Sequence, residues 1–385
     1  MSRPRVLFVS HMDGISGAEQ VLVDLAKAWR DAAAFVFRAG PLSTALSDLG
    51  LDVTIPTGGN DLSVIRKDKP LLLALPSTLA TISGLVGALA RRARDCDLVY
   101  ANSQKAFTLS ALACLMARRP LIWHLHDSLD RQHFGATQRR MQITLANRLA
   151  SRVIVPSEAA AAAFRAAGGR PGHVATIANG RDLAIDPAGK AELRQRLGLP
   201  AGPLVGVFSR LAAWKGQDVF LRALARCPDV TGIVVGSAMF AEDDFEMRLK
   251  ALAREVAIEH RVRFLGRRED VPALMQAMDA VVHPSVAPEP FGLTLVEAML
   301  VGVAVVASST GACSEILADG RCGQLVEPGS VDGFAAAMRT AVAAPDAVRR
   351  QVAAATERAR TVYSLARMQN GISALIHAHA AGAKP

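Results

Sequence analysis

One segment of the chain is dense in residues that can do chemistry: His283-Pro-Ser-Val-Ala-Pro-Glu289-Pro-Phe291-Gly292-Leu293-Thr-Leu-Val-Glu297-Ala-Met. A strand-like run ends near His283, and a helix is predicted to open near Gly292–Leu293. Glu289 stands before that helix and Glu297 within its early turns. Backbone N–H groups at a helix start hold phosphate oxygens, and the helix dipole favours negative charge there. A carboxylate on either side can accept hydrogen bonds from sugar hydroxyls. Such an order reads one ligand along its length as sugar, diphosphate and ribose. A capped helix with two surface glutamates has the same spacing; the whole Pro-Glu-Pro-Phe-Gly loop followed by Glu-Ala-Met favours binding. His283 and His11 are expected to be structural or peripheral.

A second cluster is Trp123-His124-Leu125-His126-Asp127, at the end of another predicted strand. Strand alternation puts His124 and His126 on the same face, so geometry does not choose between them. Asp127 could orient an imidazole. An Asp-x-Asp pair at a strand end, the usual holder of a metal-bound nucleotide sugar, is missing. Asp95-Cys96-Asp97 has the spacing but precedes its strand, and Asp243-Asp244 falls in a polar helix start. Both read as solvated surface.

The Glu289–Glu297 segment resembles the signature of the family 4 retaining glycosyltransferases, in which seven residues separate two glutamates. Other pieces of the family pattern follow in order along most of the chain. Asp13-Gly14-Ile15-Ser16-Gly17-Ala18-Glu19 resembles the glycine loop after the first strand, with Ser16-Gly17 where many members have Gly-Gly. Asn179-Gly180-Arg181-Asp182 resembles the interdomain turn. Ser209-Arg210-Leu211 and Lys215-Gly216 resemble the basic pair that binds the donor diphosphate.

The resemblance implies a GT-B fold of two Rossmann-like domains facing across a cleft. It implies retention of anomeric configuration as a hexose-type sugar leaves a UDP- or GDP-linked donor for a glycan, lipid-linked or small-molecule acceptor. It places Glu289 on sugar hydroxyls, Glu297 on the ribose, and the backbone of Gly17, Phe291, Gly292 and Leu293 around the donor. His126 would lie near the donor sugar, with Asp13, Asn102, His124 and Asp127 on the acceptor side. Arg210 and Lys215 would stabilise the charge that grows on a departing diphosphate. They would replace a divalent ion, so neither metal nor cofactor is expected. The rivals are a nucleotide-sugar 2-epimerase on the same fold and a non-catalytic sugar-nucleotide-binding protein.

These residues need a scaffold, and the rest of the sequence supplies one. The chain has 385 residues, 51% hydrophobic and 21% charged, which suits two α/β domains. Short apolar runs alternate with amphipathic stretches such as Gly17–Trp29 and Gln217–Arg226, the pattern of parallel sheets covered by helices. Strands are predicted at 6–10, 34–38, 52–55, 98–101, 121–125 and 152–156, then at 204–209, 232–236, 262–266, 280–284, 304–307 and 323–326. The join is placed in 177–203, which carries the Asn179-Gly180 turn and several prolines. The expected domains are 1–180, binding acceptor, and 181–367, binding nucleotide sugar, with a final helix near Met368–His379 returning to the first.

The five cysteines form no CxxC pair, which favours free buried thiols and a reducing, cytoplasmic setting. A net charge of +9 favours an anionic partner. No nucleic-acid-binding motif accompanies it, so nucleic acid is not expected. Residues 70–90 carry no charge but are only mildly apolar, which favours a packed helix over a membrane span. Arg131, Arg139, Arg140, Arg148 and Arg152 line a stretch free of Asp and Glu. Two readings stand equal there: a solvated helix, or a basic amphipathic surface docking on the inner face of the cytoplasmic membrane.

Overall fold

The computed structural model describes residues 3–56, 76–131, 134–238 and 243–381. The chain divides into two compact units. One runs to Gly180 and resumes at Leu365; the other is Arg181–Ser364.

The first unit holds a seven-stranded sheet: β1 (Val6–Ser10), β2 (Ala33–Val36), β3 (Asp52–Thr54), β4 (Leu98–Ala101), β5 (Leu121–His124), β6 (Arg152–Val155) and β7 (Val174–Thr176). Its order is β3-β2-β1-β4-β5-β6-β7, with every neighbouring pair parallel. The second holds β8 (Leu204–Phe208), β9 (Thr231–Val235), β10 (Val262–Gly266), β11 (Ala280–His283), β12 (Ala304–Ser308) and β13 (Gln324–Val326). Its order is β10-β9-β8-β11-β12-β13, again wholly parallel. Central strands such as VLFVS and AVVAS are buried along their whole length because helices cover both faces.

Both sheets reverse direction of winding once, between β1 and β4 and between β8 and β11. Such switch points leave a crevice at the carboxyl ends of the strands, where open α/β sheets bind ligands. The sequence pattern misses only β7 among the described strands.

The last helix, Leu365–Ala381, belongs to the first unit, so the second ends at Ser364 rather than 367. Met368, Ile372 and Ile376, one turn apart, are fully buried there. Burying each aliphatic side chain is worth about 1.5–3 kcal/mol. Gln369 Nε2 donates to Asp24 O at 2.7 Å, and His377 packs on Trp29.

Of the charge-free segment, residues 70–75 lie outside the described residues. Pro76–Arg94 is a helix whose Leu85, Leu89 and Ala93 enter the core. No described helix is long and apolar enough to cross a membrane. All five cysteines are free and buried.

Candidate active site

In the second unit the functional side chains converge on the switch point. Ser209 and Arg210 leave the end of β8, and the loop after β11 delivers Glu289. Between them Ala213–Lys215 makes one tight turn that stops at Gly216, whose φ is 69°. A Cβ on Gly216 would lie 2.0 Å from Pro284 O, so only glycine lets this turn press against the loop after β11. Gln217 then locks the turn to β8, donating to Ser209 Oγ and Arg210 O at 2.9 Å each.

Glu289 is 4% exposed. Its Oε1 accepts from Lys215 Nζ, from His283 Nε2 at 2.9 Å and from Ser285 Oγ at 2.8 Å. A carboxylate only accepts, so His283 carries its proton on Nε2. Burial pushes the Glu289 carboxyl up, but the Lys215 ammonium and His283 outweigh it and hold it well below the ordinary carboxylate range. Lys215 Nζ also lies 4.1 Å from the Trp214 ring centroid, with the Arg210 guanidinium 5.6 Å from the same ring. The indole therefore sits against both cations.

Past Glu289, Phe291 is buried edge-on to Tyr363, 5.8 Å between centroids. Gly292 caps the helix Leu293–Leu300 with φ 95°, a left-handed conformation that favours glycine. Thr294 Oγ1 donates to Phe208 O at 3.1 Å, pinning the first turn of that helix against the end of β8. One turn on, Glu297 Oε1 accepts from Arg181 Nε at 3.0 Å, in a pair only 13% and 17% exposed. A cavity of about 220 Å³ opens beside Glu297, lined by Ser209, Gly236, Arg267, Arg268, Val271 and Thr294 among others. The Glu289–Lys215 pair, the helix start, the Glu297–Arg181 pair and the cavity thus follow one another along one edge.

Gly311 has φ 57°, and a Cβ there would lie 2.3 Å from both N and O of Glu289. Ala312 N donates to that same oxygen at 2.9 Å. Gly311→Ala is expected to displace the Glu289 loop, lowering turnover at least tenfold and stability by about 1–3 kcal/mol. Steady-state kinetics and a urea melt check this; wild-type turnover would show that the loop tolerates the shift.

In the first unit the switch point carries the other candidates. His126 Nε2 lies 2.9 Å from Asn102 Oδ1. Asn102 Nδ2 donates to Ala18 O at 3.0 Å, which fixes the amide and leaves Oδ1 for His126. The imidazole therefore donates through Nε2 and keeps Nδ1 as an acceptor. Burial lowers its pKa to about 3, so it is neutral at physiological pH and suits a sugar hydroxyl better than a phosphate.

His124 has no exposed surface; Tyr100 OH lies 2.6 Å from its Nδ1, and its ring lies 3.9 Å from that of His126. Expected on the acceptor side, it instead supports His126 from beneath. Asp127 is exposed and accepts from Gln104 Nε2 at 3.1 Å, while Asn102 takes the place beside His126 that Asp127 was expected to fill. Asp13 accepts from Gly14 N at 2.8 Å and faces Arg38 at 3.8 Å.

Gly17 begins the helix Gly17–Ala26 and has nothing within 4 Å of where a Cβ would stand. Neither packing nor φ demands glycine here, and the residue is exposed. Ser16 caps that helix with Glu19, whose carboxylate accepts from Ser16 N at 3.3 Å and from its hydroxyl. That capping role accounts for serine at this position.

His283, expected to be structural or peripheral, is buried and touches Glu289, and Arg181, read only as part of a turn, holds Glu297. Asp97 lies at the N-terminal end of β4, opposite the switch point of its own sheet, and accepts from Arg5 N at 2.8 Å. Among the described residues no group of three His, Cys, Asp or Glu is placed to hold a metal ion.

This geometry has relatives. The family described as glycosyl transferases group 1 matches residues 189–358, and the one described as Glycosyltransferase Family 4 matches residues 15–185. HepE of Anabaena, solved with UDP and glucose, is 37% identical and superimposes with a TM-score of 0.88, covering 97% of this chain and 100% of that one. The D-inositol 3-phosphate glycosyltransferase of Mycobacterium sp. (strain KMS) is 36% identical over 199 residues, 50% of this chain but only 44% of that protein. The chain thus spans less than half the length of the first curated relatives it matches. The lipopolysaccharide core biosynthesis mannosyltransferase LpcC of Rhizobium leguminosarum bv. viciae is 29% identical over 303 residues, 76% and 80% of the two chains. With two family matches in tandem and full-length likeness to HepE, the chain belongs to the family 4, group 1 glycosyltransferases and has their GT-B fold.

Proposed function

We propose that the protein is a retaining hexosyltransferase that takes its sugar from a UDP-linked donor and passes it to a glycan or lipid-linked acceptor in cell-surface glycoconjugate synthesis. The observation that carries this reading is the series Glu289–Lys215, helix start, Glu297–Arg181 along one edge of the second unit. The UDP-glucose complex of HepE supports a uridine donor, and the mannosyltransferase LpcC supports a glycan acceptor.

In this reading Glu297 accepts from the ribose, the first turn of Leu293–Leu300 holds the diphosphate, and Glu289 steadies the sugar. Arg210 and Lys215 meet the charge that develops as the glycosidic bond breaks. The acceptor hydroxyl attacks from the side the diphosphate leaves, and a leaving-phosphate oxygen takes its proton, which retains configuration. Gly17 offers its N–H to the phosphates and His126 its Nδ1 to a sugar hydroxyl; Asp13 and Asp127 lie on the acceptor side. No divalent ion is required, and the enzyme works in the cytoplasm, attached peripherally to the inner face of the membrane.

Calorimetry with UDP and GDP, followed by turnover of UDP-glucose with and without EDTA, tests this. UDP should bind more tightly, and sugar transfer should survive the chelator. Activity lost to EDTA and restored by magnesium would overturn the role given to Arg210 and Lys215. Conversion of the donor to its 2-epimer without any acceptor would replace transfer by epimerisation.

A further inference from the structure

Three helices of the first unit form a surface the donor chemistry does not use. Pro76–Arg94, Gln104–Ala117 and Ala136–Leu149 pack side by side and send Leu85, Leu89, Phe107 and Ile143 into one core. Together they contain seven Arg and Lys and not one Asp or Glu.

Their outward side is both apolar and basic. Leu112, Leu115 and Met116 share one face of the middle helix at 41%, 58% and 55% exposure, and Met141 on the next helix is 43% exposed. Single exposed aliphatic residues are ordinary; a group of them bordered by guanidinium groups marks an interaction surface. Arg140 and Arg148 stand two turns apart on the exposed side of their helix, and Arg91 and Arg94 end the first. None of these four arginines forms an ion pair with a described residue, whereas Arg92 is held by Asp52 and Asp95.

We propose that this three-helix face docks on an anionic bilayer, its arginines on the headgroups and Leu112, Leu115, Met116 and Met141 in the interfacial layer. The inference rests on the peripheral attachment proposed above and names the surface that makes it. A nucleic acid draws its affinity chiefly from cations on its phosphates, to which exposed aliphatic side chains add little. An anionic membrane uses both.

Sedimentation with vesicles of phosphatidylcholine alone, or mixed with phosphatidylglycerol, tests the proposal. The full-length protein should bind the anionic vesicles and release them as salt rises. Replacing Arg140 and Arg148 together by Ala should weaken partitioning roughly thirtyfold, since each basic residue near such a surface is worth about 1 kcal/mol. Replacing Leu115 and Met116 together by Ser should weaken it about tenfold or more while leaving the salt dependence unchanged. The exposed pair Arg350 and Arg360 of the second unit, changed to Ala, serves as control and should have no effect. Equal binding to neutral and anionic vesicles, indifference to both changes on the face, or displacement of the vesicles by a short RNA would overturn the proposal. The assay needs no sugar nucleotide, and UDP calorimetry on the same preparations reports separately on the transferase reading.

Discussion

Lys215→Met is expected to cut turnover of the sugar donor by about 10²–10³-fold, the usual cost of removing one preorganised donor from a developing oxyanion. The same change should destabilise the fold by about 3–5 kcal/mol, because it strands a buried carboxylate. Glu289 is almost wholly buried, and its other partners, His283 and Ser285, remain behind it. The pH dependence separates the two effects. In the wild type the Glu289 carboxyl is depressed, so its contribution is complete above the unfolded value of about 4.3 and fades only as pH falls through the lower folded value. Without Lys215 the burial penalty meets less opposition and the folded pKa rises. The variant then recovers stability as Glu289 takes up a proton, and its deficit against wild type narrows on acidification. Urea melts near neutrality and at mildly acidic pH measure that gap. A deficit constant with pH would show that the ion pair is not what the mutation breaks. Unimpaired turnover would remove Lys215 from the chemistry.

Much of this was legible beforehand because the scaffold writes itself in simple periods. A parallel strand covered on both faces must be apolar along its length, so β1, β8 and β12 stand out as unbroken runs. β7 was not legible: it has three residues, all only partly buried, on the sheet edge beside the expected join. Motif residues were readable as a set because Glu289, Gly292 and Glu297 lie on one continuous loop and helix. Their partners were not, since Arg181 reaches Glu297 across 116 positions and Lys215 reaches Glu289 across 74. Only the fold brings such residues together. His283 had one faint signal, its place at a strand end six residues before Glu289. Asp127 misled because adjacency in sequence suggested a partner for His126, whereas the strand end turns Asn102, from neighbouring β4, toward it.

The two glutamates should respond differently to loss of charge, and the contrast tests the placement of sugar and ribose. Glu297→Gln keeps the shape but weakens both the bond from Arg181 and the one expected from the ribose. A hydrogen bond to a charged group is worth about 1.5–3 kcal/mol, so roughly a tenfold to hundredfold loss of affinity follows. It should appear equally with UDP and with the UDP-sugar, because both carry the ribose. Glu289→Gln should behave otherwise. Its partner Lys215 loses a competing anion and is freer to meet the diphosphate, so UDP should bind as well as before or slightly better. The sugar loses a carboxylate whose contact strengthens as charge develops on the ring, so turnover should fall at least tenfold. Calorimetry with UDP and steady-state kinetics with the UDP-sugar measure the two responses. If Glu289→Gln weakens bare UDP as much as Glu297→Gln does, the sugar has been placed at the wrong glutamate. If neither change alters binding or rate, the donor does not lie along this edge, since a carboxylate as buried as Glu289 cannot touch a ligand and be indifferent to losing its charge.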